Sequence, residues 1–300
     1  MKRVGIQISG GLGKNICFSA CIPKLKEKFE ELVLVSAYPE VYACNTDVWR
    51  NLKFEHPYLF EDYLHSATVY KEEPYLTDEY RFENKHIIEA YCKVLNLEYT
   101  PDMKPQIILN EYEESEAEKF RQSGDYILIH RQGGTTYYNP QQALHKITKS
   151  RDWPIELAQE FVNEFKKKYP RIKIVQIGLQ TEPMLKDVLM INNLPSRMLF
   201  PLMKYCKSFV VIDSFFNHTS AAFDKRGVVL FGGTEPKRLG YKRNTNMTLE
   251  TDCTTPFCHK SDYYGHLGGK EWSCPAKYKC MEFKPNEVLA SISSILDEDK

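Results

Sequence analysis

The run from residue 209 to residue 236 does most to limit what this chain can fold into. Two short apolar segments, residues 209–212 (Phe-Val-Val-Ile) and 228–231 (Val-Val-Leu-Phe), are rich in β-branched and aromatic side chains and end abruptly in small or polar residues. Strands buried on both faces of a parallel sheet read this way. Residues 217–224 between them suit a short helix, so the segment predicts a strand–turn–helix–strand unit. In open parallel sheets, ligands collect beyond the carboxyl ends of the strands. Asp213, Ser214, Gly232, Gly233 and Thr234 stand at those ends, followed by Glu235 and Pro236. Asp213 and Ser214 also suit a plain helix cap, and His218 suits a partly buried histidine. Both readings stay open beside the ligand reading.

The same alternation recurs along the chain. Strands are expected at residues 4–8, 32–35, 51–54, 107–109, 126–130 and 173–177. Helical spacing covers 16–29, 84–97, 111–122, 155–169, 184–189, 200–205 and 285–296, and residues 61–80 read as a loop. After the first strand comes Ser9-Gly10-Gly11-Leu12-Gly13-Lys14-Asn15. Glycines there let backbone approach a ligand, and the following helix N-terminus favours an anion. A tight turn alone would also explain them. The spacing is not that of a P-loop, because Lys14 is not followed by Ser or Thr. With 300 residues the chain can bury two cores. Ser123-Gly124 punctuates it, giving domains 1–122 and 123–300.

Three more turns in the second half follow strand ends or open a helix. They are Arg131-Gln132-Gly133-Gly134-Thr135-Thr136, Lys149-Ser150-Arg151-Asp152-Trp153-Pro154, and Gly178-Leu179-Gln180-Thr181-Glu182. Arg131 suits bidentate binding of an anion, and Thr135 and Thr136 offer hydroxyl and N–H donors. The 40 basic and 40 acidic residues balance, so general nucleic-acid binding is not indicated. No apolar run reaches the roughly 20 residues that span a bilayer, and the chain reads as cytoplasmic; peripheral membrane association stays open.

Nine cysteines are many for such a chain. Cys17, Cys21, Cys44, Cys92 and Cys206 sit in apolar segments and read as reduced core thiols. Cys253, Cys258, Cys274 and Cys280 cluster late, with His259 and His266 between them. Their spacing lacks the tight two-residue knuckles of zinc ribbons. Structural zinc, disulfides and reduced thiols stay open, and no catalytic metal is expected.

Taken together, the Asp213-Ser214 turn with His218, the Phe231-Gly-Gly-Thr234-Glu-Pro236 strand end, and Ala20, Ile22 and Pro23 in the first helix resemble glycosyltransferase family 9, the ADP-heptose:lipopolysaccharide heptosyltransferase-like enzymes. The resemblance implies an α/β GT-B fold, two Rossmann-like domains facing across a cleft, with the last helix able to pack back on the first domain. It implies an inverting, metal-independent transfer from a nucleotide-sugar co-substrate to an acceptor hydroxyl, with no further cofactor. The acceptor can be a glycan, a hydroxylated nucleobase or a protein; a catalytically silent nucleotide-sugar binder is the non-enzymatic alternative. By the same resemblance, Arg131, Thr135, Thr136, Arg151, Ser214 and His218 would hold the diphosphate. Gln180 or Glu182 would take the ribose, Asp213 the sugar hydroxyls, and Gly233 and Thr234 the donor loop. Gly11, Gly13 and Asn15 would lie on the acceptor side. Lys14 stands where the family carries its catalytic aspartate. As an ammonium it cannot be the carboxylate base, though it can hold a phosphate or counter a carboxylate. Asp47, Asp78, Glu79 and Glu83 are the candidate bases.

Overall fold

The computed structural model describes residues 2–71, 73–133, 148–180, 182–254, 256–258, 274 and 276–298. Thr135, Thr136, His259 and His266 lie outside the described residues. Within them, β1 (Arg3–Ile8), β2 (Glu31–Ser36), β3 (Arg50–Leu52) and β4 (Thr68–Tyr70) form one sheet, in the order β3-β2-β1-β4. A second sheet contains β5 (Tyr126–His130), β6 (Lys173–Gly178), β7 (Leu189–Asn192), β8 (Ser208–Ile212), β9 (Val228–Phe231) and β10 (Thr245–Thr248). Its order is β10-β9-β8-β5-β6-β7. Every pairing among the described residues is parallel. Each sheet reverses its direction of growth once, between β1 and β4 and between β5 and β8. Such a reversal opens a crevice at the strands' carboxyl ends.

The helices among the described residues are α1 (Leu12–Phe18), α2 (Ile22–Lys28), α3 (Asp78–Arg81), α4 (Ile87–Val94), α5 (Glu111–Gln122), α6 (Ile155–Lys168), α7 (Ser196–Tyr205), α8 (Phe215–Ala222), α9 (Pro236–Leu239) and α10 (Pro285–Glu298). The second sheet is covered on both faces. In β5, Tyr126 and Leu128 point to one core with Phe18, Tyr91, Phe200 and Phe216. Ile127 and Ile129 point to the other, with Trp153, Phe161 and Ile292. Strand side chains alternate sides, so double coverage demands an unbroken apolar run. The first of these cores is continuous from Val4 and Leu25 in the first lobe to Phe209 and Phe231 in the second.

Several expected elements are redrawn. The helix at 16–29 breaks at Ser19–Cys21, a 3-10 turn. Pro23 has no N–H and its ring would crowd the carbonyl four residues back. Ser19 Oγ instead donates to Ile16 O at 2.6 Å and accepts from Gln106 N at 2.7 Å. Residues 184–188 are not helical, because two glutamine side chains take the backbone groups. Gln176 Oε1 accepts from Leu185 N at 2.8 Å, and Gln159 Oε1 from Lys186 N at 2.6 Å. No strand forms at 107–109; the carbonyl of Ile108 accepts from Arg197 at 2.8 Å. The helix expected over 84–97 shortens to α4, whose first turn is capped by His86 Nδ1 accepting from Ile88 N. The expected loop at 61–80 carries β4 and α3. Finally, among the described residues α10 packs chiefly on α6, β8 and β9, where Val288, Ile292, Ile295 and Leu296 complete the outer core of the second sheet.

The boundary expected at 122/123 falls just after α5, which packs on α7. Arg197 of α7 anchors this seam. Its Nε donates to Glu113 Oε1 at 2.6 Å, its Nη1 to Glu40 O at 3.2 Å, and its Nη2 to Ile108 O. Arg238 is 4% exposed and reaches from α9 to Asn84 Oδ1 at 3.1 Å and Arg81 O at 3.2 Å, over the Tyr80 ring. Removing one partner of a buried ion pair costs about 3–5 kcal/mol, because the other charge stays buried. Arg197→Ala is therefore expected to lower the unfolding free energy by about 3 kcal/mol in urea titration. Arg197→Lys is expected to recover only part, since an ammonium lacks the fork that spans Glu113 and two carbonyls.

Candidate functional site

The carboxyl ends of β5 and β8 lie side by side, with His130 in register with Val211. His130 and Arg131 emerge from one, Asp213 and Ser214 from the other. His130 Nδ1 and Ser214 Oγ share a hydrogen bond of 3.0 Å across the gap. Ser214 Oγ also accepts from Phe216 N at 3.4 Å, so Ser214 does cap α8 while standing in the crevice.

A fully buried tryptophan fixes the next piece. Trp153 donates its indole N–H to Phe283 O at 3.1 Å and its backbone N–H to Arg131 O at 2.8 Å. Arg151 is thereby laid beside the end of β5. Gly133 N donates to Asp152 Oδ1 at 2.8 Å, and a Cβ at Gly133 would sit 3.6 Å from the Arg151 guanidinium. Gly233 N donates to Ser150 O at 2.8 Å, which ties the end of β9 to the same turn.

Charges of both signs are held here away from water. Asp213 is 3% exposed; burial pushes its pKa up, against the pull of Arg151, Thr234 and Asn217. Burial likewise raises Glu182, opposed by the Leu179 backbone and Arg131. Among the described residues, neither Glu182 carboxylate oxygen has a hydrogen-bond partner. Arg131 is pushed down by burial and held up by Glu182, Asp152 and Glu156. Its Nη2 donates to Pro183 O at 3.2 Å, while its Nε, like that of Arg151, is buried and unpartnered among the described residues. Buried polar atoms without partners are uncommon and call for an explanation such as a ligand.

Arg131, Arg151, Glu182, Asp213, Ser214, Gly233 and Thr234 are thus brought together. Gln180 is not: it is exposed, and its Oε1 accepts from Asn193 Nδ2 at 3.1 Å. His218 lies at the seam, its Nδ1 sharing a 3.0 Å hydrogen bond with Tyr241 OH. Burial pushes His218 down to about 3, so it is neutral and adds no positive charge. The sequence marks His130 only as a strand end. Burial first, then Arg151 and Arg131, push it down to about 4. Its place at the reversal of strand order is the signal that singles it out.

The first lobe meets this site through its glycine turn. Gly10 has φ +86°, which favours glycine. Among the described residues a Cβ on Gly11 would meet nothing within 4 Å, whereas one on Gly13 would sit 2.9 Å from the His218 ring and 3.4 Å from Phe215 Cα. Lys14 is 7% exposed and forms an ion pair with Glu73, beyond the end of β4. Asn15 does not face the cleft. It is fully buried, its Oδ1 accepting from Ser36 Oγ at 2.6 Å and its Nδ2 donating to Gly11 O at 3.0 Å. Among the candidate bases, Glu79 pairs with Lys93 at 3.0 Å, Asp78 and Glu83 are exposed, and Asp47 lies in a turn capped by Asn45. Glu73 is not one of those the sequence suggests.

Cys253, Cys258, Cys274 and Cys280 line one cavity with Ser150, Gly232 and Gly233. Among the described residues, none of the four is in a disulfide. Burial, then the neighbouring thiols, push Cys258 up to about 11 and Cys280 up to about 12. Among the described residues no group of three or more side chains is arranged to hold a metal. No helix among them is long and apolar enough to cross a membrane.

Two parallel α/β lobes with their strand ends turned to one crevice define the GT-B fold. Solved structures share it along the whole chain. The glycosyl transferase family 9 protein of Veillonella parvula has a TM-score of 0.69 at 15% identity, covering 99% of this chain and 97% of that one. The E. coli ADP-heptose lps heptosyltransferase II has a TM-score of 0.68 at 13% identity, covering 100% and 99%. The iron-containing dodecameric glycosyltransferase TibC of enterotoxigenic E. coli has a TM-score of 0.70 at 11% identity, covering 100% and 77%. No family model matches the sequence, and no curated protein matches it.

Three histidines, His130, His218 and His86, the last also pushed down to about 3 by burial, make stability depend on pH. Unfolded, each takes a proton near its ordinary value of 6.5; folded, His130 waits until about 4 and His218 until about 3. Between those limits the unfolded chain binds more protons. The histidines' contribution is therefore full above about 6.5 and falls as pH drops, by at most about 1.4 kcal/mol per unit for each group, while the raised carboxyls of Asp213 and Glu182 act in the opposite sense. Urea titrations from about pH 7.5 to about pH 4.5 are expected to show this loss, and to show a shallower one for His130→Gln. Equal slopes would count against a buried neutral His130.

Proposed function

We propose that the protein is a glycosyltransferase that binds a nucleotide-diphosphate sugar on its second lobe and passes the sugar to an acceptor hydroxyl presented by the first. One observation carries this reading. Two arginines whose Nε atoms are buried and without a partner among the described residues stand with a Glu182 carboxylate that likewise has none there, at the switch point between β5 and β8. Arg131 and Arg151 fit the diphosphate, where an arginine fork matches phosphate oxygens. Glu182 fits the paired hydroxyls of a ribose. Asp213, with Thr234 beside it, fits the hydroxyls of the sugar, and the Gly233 turn closes the loop. Thr135 and Thr136 belong to the same proposed subsite by their place after Arg131.

The GT-B neighbours named for ADP-heptose and lipopolysaccharide favour an ADP-sugar and a glycan acceptor. Transfer is proposed to invert the anomeric centre without a metal, the guanidinium groups taking up the charge of the departing diphosphate. The work would be done in the cytoplasm, where nucleotide sugars are found. A silent nucleotide-sugar binder is the second reading, favoured by the lysine at position 14. Slow release of nucleotide diphosphate from the donor separates the two.

A melting-temperature panel of ADP-, UDP- and GDP-sugars tests the donor site. Ligand at about a hundredfold its Kd adds about 2.7 kcal/mol, a shift of roughly 4 °C for a chain of this size. At least one donor is expected to give such a shift, and Arg151→Ala and Asp213→Ala are expected to remove most of it. A flat panel would sink the donor assignment.

A further inference from the structure

The turn after β4 carries a carboxylate in the place that Lys14 leaves without one. We infer that Glu73 is the proton acceptor for the attacking hydroxyl, and that Lys14 is the positioning residue that holds it there. This rests on the glycosyl-transfer reading above.

Three observations converge. First, Glu73 lies just beyond β4, which pairs with β1 and so makes the switch point of the first sheet. Groups at that point face the crevice. Second, the carboxylate is anchored without being consumed. Its Oε2 accepts from Lys14 Nζ and its Oε1 from Tyr75 N at 3.4 Å. A carboxylate offers about four lone-pair positions, so it can still accept from an O–H. The Glu73 side chain is 25% exposed and that of Lys14 only 6%. The pair therefore shows its acid to the solvent side and keeps its ammonium inside. Lys14 in turn is steadied by the Tyr75 ring, 5.7 Å from Nζ. Third, the lobes place this pair opposite the donor loop. Lys14 follows Gly13, and Gly13 abuts Phe215 and His218, just past Asp213 and Ser214.

Asp213 is a poor alternative base, because it is buried on the donor lobe beside Arg151. In the proposed step the acceptor O–H bond breaks and its proton passes to Glu73. The acceptor oxygen bonds to the anomeric carbon, and the bond from that carbon to the diphosphate oxygen breaks. The electron pair leaves with the diphosphate, beside Arg131 and Arg151. The proton then leaves Glu73 through its exposed side.

The test uses the full chain, the nucleotide sugar that gives the largest melting shift, and water as the acceptor, with nucleotide-diphosphate release as the readout. Glu73→Gln is expected to lower kcat by about 10²–10⁴-fold while keeping the donor-induced melting shift. Added formate is expected to restore part of the turnover of Glu73→Ala, which a merely structural role would not allow. Lys14→Arg is expected to retain more turnover than Lys14→Met. Turnover of Glu73→Gln within about threefold of wild type would overturn the assignment. So would loss of its donor shift. In both of these cases the wild-type donor shift and wild-type diphosphate release still stand. A wild-type protein that binds donor and releases no diphosphate, or one with no donor shift at all, would instead remove the glycosyl-transfer reading itself.

Discussion

The missing side chain at Gly13 is the constraint on which the site depends. The first turn of α1 rests on the first turn of α8, and any Cβ there would sit 2.9 Å from the His218 ring. That contact sets the switch point of one sheet against the switch point of the other. Around it, the apolar core runs unbroken from one lobe into the next. Arg197 and Arg238 fasten the seam at separate points, each spending its fork on acceptors from the first lobe. Directional bonds of this kind fix the register that a non-directional apolar contact leaves free.

Within the crevice the protein keeps charge where charge is costly. Arg131, Arg151, Asp213 and Glu182 are removed from most of the solvent, and among the described residues Arg131 Nε, Arg151 Nε and both Glu182 carboxylate oxygens have no hydrogen-bond partner. Burying ions is tolerable when the surrounding scaffold holds them in place. Here Trp153, sunk in the outer core and bonded to Phe283, sets the turn that carries Arg151. Such unspent donors and acceptors are what a polyanionic sugar nucleotide would complete, and the neutral His130 between them avoids adding a third cation beside the two arginines.

Much of this is legible in the chain. The apolar runs at 126–129, 209–212 and 228–231 form β5, β8 and β9, because burial on both faces leaves no room for polar alternation. Arg131, Asp213 and Ser214 stand out because a strand end is a local feature. What stays hidden is equally physical. The strand β4 has three residues, and Thr68 and Val69 are exposed, so it carries no apolar run to notice. With β4 hidden, the first switch point is hidden, and Glu73 with it. Asn15 looks like a turn residue open to ligand, but its amide is already claimed by Ser36 and Gly11.

By itself the sequence determined the parallel strands, the turns that end them and the polar residues those turns carry. These follow from burial pattern and backbone preference over a few neighbouring residues. Only the tertiary structure decided which charges meet. Lys14 and Glu73 are 59 residues apart and Arg197 and Glu113 are 84 apart, and nothing in their local spacing joins them. The same holds for histidine charge, since burial by chain-distant elements keeps His130 and His218 neutral. Local pattern sets where a side chain starts, and the packing of remote elements sets its partner and its protonation.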